Sequence, residues 1–427
     1  MITSRVSPRA ARGSPLHATA ETGRPGGAAV ARVVRPALLL AMVLLTGAPA
    51  WSAVPAALQD VRRHMLDSDV NALTFHEMDQ IFDVRRVPAG SATWRLPRAN
   101  APMDFTYQFD GKTYPAEAVL DRTYTNALLI IKHGAIVTEI YRNKTSANSH
   151  FISFSMAKSI TSILIGLAIA DHHIHSIDDP ITRYIPELKG TGYDGVTIRQ
   201  ALRMRSGVDY DERYDFSHPS LAAAMFEDSL VENKIRFAAF AKIVNRAYPP
   251  GEHFNYSTLE TAVLGWVLER ATGQSISAYM DERLWNPAGM ESYGFWIMDG
   301  APGIGREFNG AGFNAVLRDY GRLGLMMLQD GRAGNRQVVP AAWVQESTSA
   351  RNTTPVEPGS PLGYQYQWWT IAGTDAYTAI GLQGQFIFVD PDTDTVVVKL
   401  SYFPPGNLDA VRESLAFLRA ACGWNGR

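Results

Sequence analysis

SMAKSITSILIGLAIA occupies residues 155–170, and its reading decides both fold and chemistry. Ile160, Ile163, Leu164, Leu167 and Ala168 recur at helical spacing, which predicts a helix over Ser155–Ala170. The apolar face is broad, so the helix is expected to be nearly buried. Ser155 and Lys158 stand at i and i+3 on one face of its first turn, which brings a hydroxyl and an amine within reach of each other. A serine alcohol is inert until a base removes its proton. Lysine can do this only as the free amine, and its reference pKa is about 10.4. Bringing that value near neutrality takes about 4 kcal/mol, within what burial and a helix N-terminus supply. The same dipole favours an anionic serine oxygen. An isolated S-x-x-K also fits a capping serine with a solvated lysine. The apolar surroundings of Lys158 favour the chemical reading.

Upstream, Ala127–Lys132 (ALLIIK) and Ala135–Tyr141 (AIVTEIY) are β-rich runs joined across His133-Gly134, a hairpin signal. Downstream, Asp179-Pro180 ends the regular pattern, and residues 180–350 read as helical, most clearly at Leu259–Thr272 and Asn314–Gln329. Strands return at Tyr364–Ile371, Gln385–Val389 and Thr395–Ser401, with Asp390-Pro391-Asp392 as the turn between the last two. Trp368 and Trp369 fit a sheet face. A helix over Leu408–Ala421, N-capped by Asn407, closes the chain. Early strands, a helical middle and late strands predict an α+β fold. One antiparallel sheet, assembled from both ends of the chain, is flanked by helices, with an inserted all-helical part over about 180–350. The junction is a natural place for a cleft. Residues 54–120 read as an N-terminal extension with a short helix near Leu58–Met65, ahead of a main domain over 121–427.

The 427 residues are 46% apolar and 19% charged, the balance of a globular protein, which excludes disordered, collagen-like and coiled-coil classes. The formal charge is −2, unevenly placed: through Ala53 six arginines against one acid give +5, leaving −7 for the rest. A mildly acidic body offers no electrostatic footprint for nucleic acid. Cys422, the one cysteine, excludes a disulfide framework and cysteine-based metal clusters, and packs as a small apolar residue. His172, His173 and His175 fall in a loop after the serine-bearing helix, and His76-Glu77 lacks the second histidine of H-E-x-x-H, so neither metal nor organic cofactor is expected. Asn143-Lys144-Thr145 matches a glycosylation sequon, meaningful only in a eukaryotic secretory host. Ala37–Thr46 (ALLLAMVLLT) is ten apolar residues behind Arg32 and Arg35, and Ala48-Pro49-Ala50 fits the A-x-A cleavage pattern. Ten is too few to span a bilayer, so residues 1–53 are expected to be a signal peptide cut between Ala50 and Ala53, with an uncleaved anchor as the alternative. The expected location is periplasmic or secreted, without a stable membrane anchor.

A second element is Phe254-Asn255-Tyr256-Ser257-Thr258, directly before Leu259–Thr272. A tyrosine at a loop-to-helix junction can point its hydroxyl into a cleft, or pack on the core with Thr258 as N-cap. S-x-x-K followed about a hundred residues later by Gly251-Glu252-His253-Phe254-Asn255-Tyr256-Ser257 resembles the class C β-lactamase and penicillin-recognising serine hydrolase superfamily. Leu202–Val208, Trp285-Asn286-Pro287-Ala288-Gly289-Met290 and Ala311-Gly312-Phe313-Asn314 extend the resemblance from about residue 125 to the C-terminus. The Tyr-Ser pair, Asn314 after Gly312 and the strand Gly381–Gln385 are most similar to the 6-aminohexanoate-dimer hydrolase and esterase-like branch. The resemblance implies a β-lactamase/transpeptidase-like fold. It implies Ser155 as the acylated nucleophile, Lys158 as its general base and Tyr256 as proton relay. It further implies an oxyanion hole from the N–H groups of Ser155 and Leu382, each such donor being worth about 10²- to 10³-fold in rate.

The family's Lys-Thr/Ser-Gly motif is missing from the late strand, which reads Ala379-Ile380-Gly381-Leu382-Gln383-Gly384-Gln385; only the glycine remains. In the family that lysine lies near the β-lactam carboxylate, so linear amides or carboxylic esters of small molecules are expected ahead of β-lactams. Thr258 stands where asparagine or serine is usual. Tyr210 and Tyr214, in the YDERYD segment, are candidate substrate contacts, as are Thr258 and Gly381. The alternatives are a β-lactamase or penicillin-binding DD-peptidase, and a catalytically silent binding protein. Retention of Ser155, Lys158 and Tyr256 together speaks against the last. An apolar helix face does not distinguish a monomer from an oligomer.

Overall fold

All eight residues of Thr125–Lys132 are buried, and they alternate between two cores. Ala127, Leu129 and Ile131 belong to one apolar cluster, and Leu128 and Ile130 to another. Successive strand side chains point to opposite faces, so this strand belongs to a sheet that is covered on both sides. The computed structural model describes residues 54–426 apart from 214–219, 301–304, 351–352, 354–355 and 358. Along the chain the elements that frame the site are α1 (Ala56–His64), β1 (Val84–Val87), the hairpin β2–β3 (Thr106–Phe109, Lys112–Pro115), β4 (Thr125–Lys132), β5 (Ala135–Tyr141) and β6 (His150–Ile152). They continue with α2 (Met156–Ala170), α3 (Thr258–Thr272), β7 (Gly294–Ile297), β8 (Phe313–Val316) and α4 (Leu317–Leu328). The chain ends with β9 (Leu362–Gln365), β10 (Trp368–Ile371), β11 (Tyr377–Gly381), β12 (Gln385–Asp390), β13 (Thr395–Ser401) and α5 (Leu408–Gly423).

The main sheet has seven antiparallel strands among the described residues, in the order β9-β10-β11-β12-β13-β4-β5. As expected, it is built from both ends of the chain: β4 pairs with β13, Lys132 opposite Thr395. The hairpin at His133-Gly134 takes left-handed φ of +50° and +75°. On one face lie α2 and α4, and on the other α5, capped by the Asn407 side chain accepting from Ala410 N. Gly321 and Gly324 let α4 lie close on the sheet, since a Cβ there would come within 2.4 Å of Leu129 Cδ2 and 2.5 Å of Val396 Cγ1.

The middle of the chain is helical through Trp285 but then adds strands. β7 and β8 join β1 and β6 in a second antiparallel sheet, order β1-β7-β8-β6. Asn314 therefore lies in a strand, and the helix expected from it begins only at Leu317. Four-residue strands buried at every position show no alternation for a sequence pattern to register. The expected single strand over Tyr364–Ile371 is two, β9 and β10, folded back at Tyr366-Gln367 with φ of +36° and +68°. No glycine or asparagine announces that turn. Residues 54–120 are integral: β1 enters the second sheet and β2–β3 packs on α5. Among the described residues no helix is long and apolar enough to cross a membrane, and the leader lies outside them.

Candidate active site

Ser155 is the N-cap of α2, but its side chain makes no capping hydrogen bond. Lys158 is 1% exposed. Both halves of the bland reading, a capping serine and a solvated lysine, therefore fail. Phe154, immediately before the serine, has φ of +42°, a left-handed conformation that costs a non-glycine residue about 1–3 kcal/mol. Its ring is held edge-on against Phe75, with centroids 4.9 Å apart.

As an ammonium, Lys158 Nζ donates to Ser155 Oγ at 3.0 Å, Thr258 Oγ1 at 2.9 Å and the Gly310 carbonyl at 2.9 Å. Burial brings its pKa down to about 8, against a smaller upward pull from the Glu212 charge. As a free amine Nζ has two N–H groups and one lone pair. Gly310 O can only accept, and so can a hydroxyl whose own proton is committed elsewhere. The lone pair then falls to Ser155.

Tyr256 sits half-buried just before α3, stacked on Trp369 at 5.6 Å and edge-on to Tyr364 at 5.9 Å. Lys158 Nζ lies 5.0 Å from its ring centroid, and the Ser155 side chain is a hydrogen-bond partner of its hydroxyl. Burial and the Glu212 charge push the phenol well above its ordinary range, so it is a proton donor at neutral pH. Ser257, rather than Thr258, caps α3, accepting from Glu260 N. Thr258 is buried, and both its N–H and its hydroxyl donate to the Glu212 carboxylate.

Gly381 ends β11 directly against the serine turn: a Cβ there would meet Ser153 O at 2.2 Å. Its role is close approach of the end of β11 to the turn that precedes α2. Among the described residues neither Ser155 N–H nor Leu382 N–H donates to a backbone carbonyl. Tyr210 is 4% exposed and packs in the core, its carbonyl accepting from Asn255 Nδ2 at 2.8 Å. Tyr214 lies outside the described residues. Asn314 is buried in β8, where its Nδ2 donates to Gly312 O. Trp368 is core as expected, whereas Trp369 lines the site through Tyr256.

Sequence reasoning passed over two carboxylates. Glu212 belongs to the YDERYD segment, whose tyrosines drew attention first. Glu260 Oε1 accepts from Ser206 N and Oγ, while Oε2 has no partner among the described residues. Burial pushes that carboxyl up to about 8. A glutamate in the first turn of a helix ordinarily complements the helix dipole, so nothing in the sequence singled it out. Among the described residues no His, Cys, Asp and Glu cluster could hold a metal.

A buried lysine aimed at a serine on a helix N-terminus, beside an antiparallel sheet, defines a serine hydrolase. A family model described as Beta-lactamase matches residues 120–420, and the chain belongs to that family. It is similar to 6-aminohexanoate-dimer hydrolase of Paenarthrobacter ureafaciens, 30% identical over 301 residues that make up 67% of this chain and 75% of the relative. Esterase EstB of Burkholderia gladioli is 29% identical over 201 residues, 42% of this chain and 49% of the esterase. The solved structure of a Bacillus anthracis protein provisionally named as another 6-aminohexanoate-dimer hydrolase superposes with a TM-score of 0.75 at 24% identity, covering 84% of this chain and 96% of that one. That last likeness carries the fold.

Proposed function

We propose that this protein is an exported amidase or esterase of small molecules, similar in reaction to 6-aminohexanoate-dimer hydrolase, working through an acyl-enzyme on Ser155. The observation that carries the reading is Lys158: buried, depressed to about 8, and left with its lone pair on Ser155 Oγ. The free amine takes the Ser155 proton as Oγ bonds to the substrate carbonyl carbon. The N–H groups of Ser155 and Leu382 receive the developing oxyanion. Tyr256, protonated, donates to the leaving nitrogen or oxygen as the amide or ester bond breaks, and is recharged from the Lys158 ammonium. Water then enters, loses a proton along the same route, and releases the carboxylic acid with Ser155 restored. No step calls for a metal or organic cofactor. Export rests on the apolar run and cleavage pattern of residues 37–50.

Where the family carries a lysine on the late strand, this chain has Ala379, which is buried, and Ile380. That leaves a β-lactam carboxylate without its cation, so a fluorescent penicillin is expected to label the protein weakly. The test is intact-mass analysis after a fluorophosphonate probe, on wild type, Ser155→Ala and Lys158→Ala. Labelling of wild type alone supports the reading, and screening with short amides and esters follows. An unlabelled wild type removes it and leaves a binding protein. Peptide mapping of the secreted protein's N-terminus tests cleavage between Ala50 and Ala53.

A further inference from the structure

Thr258 departs from the asparagine or serine usual at its place, and its surroundings give a reason why threonine serves there. We propose that Glu212 is a positioning residue that acts through the Thr258 hydroxyl to keep the Lys158 lone pair aimed at Ser155; this rests on the acyl-enzyme reading above.

A carboxylate only accepts hydrogen bonds. Glu212 receives two from one residue, Thr258 N–H on one oxygen and Thr258 Oγ1–H on the other. The single hydroxyl proton therefore points at Glu212, and Oγ1 offers Lys158 only lone pairs. Gly310 O is an acceptor as well. The two N–H groups of the free amine go to these two acceptors, and the lone pair has one remaining direction, toward Ser155 Oγ. Without a committed acceptor at Glu212 the Thr258 proton is free to turn onto Nζ, where it would occupy the lone pair that the chemistry needs. Asparagine avoids the problem, because its amide presents a carbonyl oxygen that can only accept.

Among the described residues Glu212 is also the charged group that acts on the Lys158 ammonium. Among the described residues the other groups that face Lys158 are the Ser155 hydroxyl on its own helix, the Tyr256 ring and Thr258 at the start of α3, and the Gly310 carbonyl before β8. Glu260, further along α3, bears on Glu212 and is held by Ser206. Neutralising Glu212 should consequently do two separate things: let Lys158 lose its proton at lower pH, and misdirect the lone pair once it is formed.

The test is the pH dependence of fluorophosphonate labelling at Ser155 in wild type and Glu212→Gln, each checked for an unchanged melting temperature. The glutamine amide can donate to Thr258 Oγ1, which frees the hydroxyl proton. The expected result is an acid limb displaced to lower pH together with a plateau lowered by about tenfold or more. In a Thr258→Asn background the same Glu212→Gln change should cost less than about threefold, since the orienting task is gone. A merely structural glutamate would cost the same in both backgrounds and leave the acid limb in place. A second readout needs no activity: the 13C signal of the Lys158 side chain, identified by its loss in Lys158→Met, titrated in both proteins. Equal Lys158 midpoints with equal plateaus would overturn the proposal. A wild type that escapes labelling while its Lys158 midpoint still moves on Glu212→Gln would instead sink the acyl-enzyme reading and keep the Glu212 coupling.

Discussion

Gly381→Ala tests how tightly the late strand is fitted to the Ser155 turn. The added methyl would lie 2.2 Å from Ser153 O and 2.9 Å from Gln385 Cβ, where ordinary contact begins at 3.4 Å. One neighbour is backbone and the other belongs to the paired strand β12, so neither can swing aside. Ser153 is itself anchored, its N–H donating to Phe313 O at 2.7 Å. The end of β11 must then retreat by about an ångström and carry Leu382 N–H with it. Overpacking of this kind costs about 1–3 kcal/mol of stability. Withdrawing one oxyanion donor costs about 10²- to 10³-fold in rate, roughly 2.7–4 kcal/mol in the transition state. The assay is the pre-steady-state acylation rate with a p-nitrophenyl ester, alongside a melting curve. Gly423→Ala is the control, because a Cβ there meets nothing within 4 Å. Gly381→Ala is expected to acylate about 10²-fold more slowly while remaining folded. Acylation within about threefold of wild type would refute the placement of Leu382 as an oxyanion donor.

Acylation should rise with pH through about 8 and then level off, because Lys158 must lose its proton before it can take one from Ser155. Lys158→Met should abolish the burst of p-nitrophenol, and a rate that instead fell with pH through that range would contradict the assignment. The Glu260 carboxyl is raised to about 8 in the folded protein, well above an unfolded value of about 4.3, so the folded state holds the extra proton between those pH values. Stability therefore falls with rising pH across that window, by up to about 1.4 kcal/mol per pH unit. Glu260→Gln should remove this decline, seen as a melting-temperature advantage over wild type that grows from pH 5 to pH 8. Cys422 is buried with its thiol pushed up to about 12, so Ellman's reagent should find no thiol in the native protein and one equivalent in guanidinium.

The parts of the fold that sequence pattern conveyed are those long enough to show a period. The hairpin ALLIIK/AIVTEIY and the helices at Met156–Ala170, Thr258–Thr272 and Leu408–Gly423 lie where their spacing put them, the last with Asn407 as its cap. Strands β7 and β8 are four buried residues each, too short to distinguish from the edge of a helix, and Asn314 was assigned accordingly. The Tyr366-Gln367 turn takes left-handed backbone on residues that carry no such signal. At the site, the Ser155–Lys158 pair is local in sequence and hence legible. Glu212 meets Thr258 across 46 residues, Gly310 meets Lys158 across 152, and neither contact has any local pattern. Glutamates, moreover, are common surface residues, and only burial separates Glu260 from the rest.

The seam between β4 and β13 joins residues 263 positions apart, as at Lys132 and Thr395. Ser155 and its helix are synthesised early. The strand that abuts them, β11, and the two that lock β11 to β4 are synthesised last. Closing so long a loop is slow and entropically opposed until those final strands exist. A nascent chain therefore carries Ser155, the proposed nucleophile, without the enclosure that lowers Lys158 or the strand end that holds Leu382. On the acyl-enzyme reading, the chain is inactive while it is still being made. If it leaves the cytoplasm as an open chain, the cell's own esters and amides never meet a finished active site.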